Sequence, residues 1–227
     1  MALPSASDVD LSARSAPVLR FAVVGAEGVA YAAVPTLSFD LHIEVAGGGS
    51  IRSVMLDVQI GIAARRRGYT GAERERLLEL FGTPERWATT LRTLPWTRAT
   101  LVVPPFSDEV TVPVTVPLTY DLEVTGARYF AALADGEIPL DFMFSGSIFY
   151  SGERGTLQTT RIAWDADVDY GLPVSVWQAT MERHFANTGW LRLGTDTLAR
   201  LCAYKARHAF TSWDATLDAL LAGSAGP

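Results

Sequence analysis

From Val110 to Val124 the chain alternates apolar and polar residues without a break. Val110, Val112, Val114, Val116, Leu118, Tyr120, Leu122 and Val124 fall on one side; Thr111, Pro113, Thr115, Pro117, Thr119, Asp121 and Glu123 fall on the other. Successive strand side chains point to opposite faces, so only an extended chain gathers this apolar set on one surface. Such a surface suits an antiparallel sheet with one dry face and one wet face. Pro113 and Pro117 refine the reading, because neither can donate an N–H to a ladder. The pattern predicts an edge strand over 110–116, a bend near Pro117 and a better-paired strand over 118–124.

The same period recurs elsewhere. Leu19–Val24 and Val29–Val34 read as short strands around a Gly25–Gly28 turn. Leu37, Phe39, Leu41, Ile43 and Val45 alternate inward. Gly47, Gly48 and Gly49 then offer the positive φ of a hairpin, with Val54, Leu56, Val58, Ile60 and Ile62 returning on the partner strand. Further strands are predicted over 100–103, 138–150 and 156–170. Residues 127–133 fit either a helical turn or a strand.

Helical spacing interrupts this pattern twice. Thr70 and Glu73 form a capping box, Leu77, Leu78 and Phe81 a stripe, and Gly82 a stop. Thr83 and Pro84 open a second helix through Trp87, Leu91 and Leu94. Beyond Gly171 three stripes follow: Val174, Trp177, Met181 and Phe185; Leu198, Leu201, Cys202 and Lys205; and Trp213, Leu217, Leu220 and Leu221 behind Thr211 or Ser212. The fold expected is mainly β, an antiparallel two-sheet, Ig-like β-sandwich with a two-helix insertion and a C-terminal helical segment. Its parts would be a flexible tail at 1–18, a sandwich at 19–172 with the insertion at 70–94, and helices at 173–223 packed on the sandwich.

Composition narrows the function. A net charge of −6 argues against nucleic acid as partner. No apolar run approaches the ~20 residues of a membrane span, and the N-terminus has no secretory pattern, so the expected location is cytoplasmic. The single Cys202 excludes a thiolate metal cluster, and no cofactor is expected.

Catalytic constellations are also missing. His42, His184 and His208 have no metal-ligand spacing, and Ser145-Gly146-Ser147 lacks a nucleophile elbow. Asp165, Asp167 and Asp169 start like a calcium loop, but Tyr170 and Val176 stand where that loop needs Gly and a bidentate carboxylate. They are the one candidate metal set, weighed against a strand with three solvated carboxylates.

Two other sets remain. Arg65, Arg66 and Arg67 with Tyr69, and separately Trp190, are candidate contacts for a protein partner. Solvated arginines and a Trp plugging a gap are the plainer alternatives. Tyr129, Phe142, Phe144 and Trp177 are the candidate lining of a small-ligand pocket between sheet and helices.

The segments LFGTPERWATTLRTLPW (80–96), DGEIPLDFMFSG (135–146), VWQATMERHFANTGWLRL (176–193) and WDATLDALL (213–221) resemble an uncharacterised, chiefly actinobacterial protein family. Its genes often lie near those of high-affinity uptake NiFe-hydrogenases. The resemblance implies a non-enzymatic accessory, assembly or scaffold protein whose partners are hydrogenase subunits or accessory proteins. It supplies no catalytic residues. A small-ligand-binding sandwich and a hydrolase or metal-dependent enzyme built from scattered residues are the other two readings.

Overall fold

The computed structural model describes residues 16–119, 124–152, 155–186, 188 and 192–224. The chain lays down strands β1 (Leu19–Gly28), β2 (Thr36–Val45) and β3 (Ser50–Ile62), then helices α1 (Gly71–Arg76), α2 (Leu78–Phe81) and α3 (Trp87–Thr90). Strands β4 (Leu94–Val103), β5 (Phe106–Ser107) and β6 (Glu109–Pro117), helix α4 (Thr125–Ala132) and strand β7 (Glu137–Ser151) follow. Strands β8 (Leu157–Arg161) and β9 (Asp167–Pro173) lead into helices α5 (Val174–His184), α6 (Thr195–Arg207) and α7 (Trp213–Ser224).

One antiparallel sheet has the order β1-β2-β6; the other runs β4-β3-β7-β8, with β5 also on β3 and β9 also on β7. Their inner faces carry the residues that alternation selected. Leu37, Phe39, Leu41 and Ile43 oppose Val54, Leu56, Val58, Ile60 and Ile62, all without solvent exposure. Phe39 meets Phe142 edge-on at 5.2 Å, and Phe21 stacks on Phe144 at 4.4 Å. The mainly β, two-sheet architecture expected from the pattern is the one found.

Strand β6 is an edge, pairing β2 alone, and it ends at Pro117. Leu118 N–H donates to the Pro35 carbonyl at 2.7 Å. Alternate residues of an antiparallel strand share that direction, so the odd positions, Pro113 and Pro117 included, turn their nitrogens away from β2. The prolines therefore cost the ladder nothing and leave gaps where another chain would bond. The strand expected over 118–124 lies mostly outside the described residues.

Three expectations change here and one open choice closes. The Gly47–Gly49 turn does not close a hairpin, because β2 and β3 belong to different sheets. It carries the chain across the sandwich, and Asp108, itself at φ 63°, ties it down through its carboxylate on the Gly49 N–H at 2.9 Å. Strand β1 runs on through Gly25 to Gly28 with a bulge after Val23, and the strand expected over Val29–Val34 is instead the turn leading to β2. The second inserted helix stops at α3, where Leu91 turns to extended backbone, and Leu94, held extended by Pro95, opens β4. Residues 127–133 are helical, except that Leu133 caps α4 in extended geometry.

The long strand expected over 156–170 becomes β8 and β9, both on the same side of β7. Ile162 N–H donates to the Gly146 carbonyl at 3.1 Å, and Phe144 N–H to the Ala166 carbonyl at 3.0 Å. Residues 163–165 loop out between them, with Trp164 at the tip and 95% exposed.

Helix α5 docks on the sandwich, packing on β1, β2 and β9 and burying Val174, Trp177, Thr180 and Met181. Gly28 makes the approach possible, because a Cβ there would lie 2.1 Å from Thr180 Oγ1. Helices α6 and α7 pack mainly on each other.

Candidate functional site

The fold consumes the arginine run. Arg65 Nε donates to the Leu91 carbonyl at 2.7 Å. Arg66 pairs with Asp141 and Asp169, which face each other across β7 and β9. Arg67 donates to the Glu137 carbonyl at 2.8 Å and to Glu73 Oε1 at 2.6 Å; its Nε is buried with no partner.

Glu73 also closes the predicted capping box with Thr70 and accepts from the Ala134 N–H at 3.1 Å. Burial pushes the Glu73 carboxyl up, but the Thr70 and Ala134 donors and the Arg67 charge outweigh it and hold the group below its ordinary range. Burial raises Asp141, the facing Asp169 adds to the rise, and Arg66 only partly offsets both.

Tyr69 donates to the Ala64 carbonyl at 2.6 Å. Its one proton is thereby used, so the 2.8 Å contact with Tyr129 has Tyr129 as donor. Burial and that bond hold the Tyr129 phenol far above its ordinary range. These groups form the seam joining the helical insertion to β7.

An open cleft of about 520 Å³ lies beside the seam, lined by Arg66, Arg67, Asp135, Glu137, Asp169 and Tyr170. Its three carboxylates outnumber its two guanidinium groups, so it offers an anion no excess charge. Of the four residues expected to line a ligand pocket, Phe142 and Phe144 pack between the sheets and Tyr129 sits in the seam. Trp177 alone borders a second cleft, of about 100 Å³, with Trp96 and Phe130. Asp169 is held by Arg66, and no three His, Cys, Asp or Glu side chains converge as a metal site among the described residues. The three histidines stay apart: His42 meets Thr111, His184 lies between the Thr180 and Ala32 carbonyls, and His208 packs on Tyr204. Trp190 lies outside the described residues.

The surface that stands out is the α6–α7 hairpin. Its turn is tightly built: Ala209 sits at φ 54°, and Lys205 Nζ donates to the Phe210 carbonyl at 2.8 Å while lying 5.6 Å over the Trp213 ring. Ser212 Oγ accepts from the Ala215 N–H at 3.1 Å, the cap the sequence suggested. Yet α6 buries no residue, and Thr216 is the one buried residue of α7. Leu198 is 44% exposed, Trp213 42%, Leu217 38% and Leu220 37%.

These positions were read from the sequence as packing residues, because a core stripe and an interface stripe have the same spacing. The exposed Trp164 gives no stripe signal at all. It sits in the loop between two pieces of what looked like one strand.

Among the described residues no helix is long and apolar enough to cross a membrane. No curated protein matches the chain. A crystal structure of a Bordetella pertussis protein assigned provisionally as ApaA is similar at 14% identity, covering 69% of this chain and 95% of that one. Its TM-score of 0.23 is too low to carry an argument. A family profile, by contrast, matches residues 16–226, and the chain belongs to that family, DUF6084, a family of unknown function.

Proposed function

We propose that this is a non-enzymatic accessory or scaffold protein that works by protein–protein contact, located in the cytoplasm and serving a NiFe-hydrogenase system. The hydrogenase link rests on the gene-neighbourhood resemblance. The contact rests on one observation: Leu198, Trp213, Leu217 and Leu220 are half-exposed on a two-helix hairpin that lacks a core. Large apolar side chains clustered in this way mark interaction surfaces. The arginines first suspected of that role are engaged within the chain.

The tagged chain, expressed at its native level, is expected to recover hydrogenase subunits or accessory proteins. Leu217→Glu with Leu220→Glu should lose them. Recovery of the bait alone from wild type would overturn the reading.

The cleft beside Arg66 and Tyr170 favours a second reading, a small-ligand-binding protein. A ligand that co-purifies and is lost on Tyr170→Ala would support it.

A further inference from the structure

We infer that the α6–α7 hairpin is covered by a second copy of the chain, so that two hairpins close an isologous four-helix bundle and the two sandwiches face outward. This rests on the hairpin being an interface, and it names the occupant.

The argument starts from what each helix presents. At 100° per residue, Trp213, Leu217 and Leu220 fall within roughly 60° of arc on α7, all large and all exposed. On α6 the exposed band is made of Thr195, Leu198, Ala199, Cys202, Ala203 and Ala206, all but Leu198 small. One helix offers knobs and the other offers room for them. A two-fold axis repeats the same patch on both copies. Laying each α7 over the other copy's α6 sets large on small twice, whereas α7 on α7 sets large on large.

Charge selects the same arrangement. α6 carries Arg200, Lys205 and Arg207 against Asp196, a net +2; α7 carries Asp214 and Asp218, a net −2. Crossing the helices brings opposite charges together twice, and pairing like helices brings like charges together. Except for Lys205, which is tied to the Phe210 carbonyl, these charges lie off the apolar bands, leaving the centre free of ions as an interface core requires.

A membrane surface fits less well. An anionic bilayer is attracted by basic residues beside the apolar face, whereas α7 has two acidic residues and no basic one. A hairpin buried in this way also has a physical reason to be ordered, since helices of 13 and 12 residues are marginal without a packed face.

The test is the mass of the full chain in solution, by sedimentation or light scattering at tens of micromolar. Wild type is expected at twice the 24.6 kDa chain mass. Leu217→Glu with Leu220→Glu is expected at the single mass with the thermal unfolding of the sandwich retained. Charge reversal on α6 (Arg200→Glu with Arg207→Glu) or on α7 (Asp214→Arg with Asp218→Arg) should each weaken association by about tenfold, and an equimolar mixture of the two variants should recover it.

Wild type at the single mass would overturn the proposal, as would a Leu217, Leu220 variant that stays double. If wild type is single and the hairpin variant still loses a hydrogenase partner in the pull-down, another protein covers the hairpin and the broader reading stands. If wild type is single and that variant keeps its partner, both fail.

Discussion

The Arg66–Arg67 seam and the α6–α7 hairpin settle their side chains in opposite ways. In the seam, charged groups are drawn inward and almost every donor has an acceptor: Glu73 is 1% exposed and takes bonds from Thr70, Arg67 and Ala134. In the hairpin, large apolar groups are left more than a third exposed. The seam's charges are largely spent within the chain. The hairpin has little else to offer, because its turn is fixed by local bonds and its faces are not. Charge density along a chain is therefore a poor guide to which charges the folded surface leaves unpaired.

Glu73→Gln leaves Arg67 charged in a buried site, and loss of one member of such a pair costs about 3–5 kcal/mol. Thermal unfolding should show a large fall in Tm, and a near-neutral result would remove the claim that the seam is structural. Because Glu73 is held below its ordinary range, its contribution is complete above that range and is lost as pH falls through the lowered value. Wild type should therefore lose stability on acidification below about pH 4, and Glu73→Gln should show a shallower slope.

Arg66→Ala should cost much less, about 0–1 kcal/mol, since Arg66 and Asp169 are both substantially exposed. Its pH dependence has the opposite sign. Asp141 is raised, so its ionised form works against the fold. The stability of its protonated state is present at low pH and is lost as pH rises through the raised value. The deficit of Arg66→Ala against wild type should shrink on acidification, and a deficit that grows instead would contradict the assignment.

The smallest expected effect is in the hairpin. Leu217→Glu with Leu220→Glu should change the unfolding of the sandwich by less than about 0.5 kcal/mol, while changing the solution mass. A large destabilisation of the dissociated chain would mean that these leucines pack within it.

The sequence made the sandwich legible because alternation is strict where one face is dry. Leu37 to Val45 and Val54 to Ile62 are buried as their period required, and two prolines marked β6 as an edge. It could not show that Gly47–Gly49 joins two sheets, because turn chemistry does not record which strand pairs with which. Nor could it show that the arginines meet Asp141, Asp169, Glu73 and Glu137, partners up to 103 positions away in the chain for Arg66 and Asp169. The hairpin was read correctly as amphipathic helix, but periodicity is silent on what covers the apolar face.

Hydrogen exchange across 195–224, measured at high and low protein concentration, reports on whether a second copy covers the hairpin. Amides of α6 and α7 are predicted to exchange slowly at high concentration and quickly on dilution, while β2 and β3 stay protected throughout. Exchange in the hairpin that is fast at every concentration, or slow at every concentration, would contradict the account.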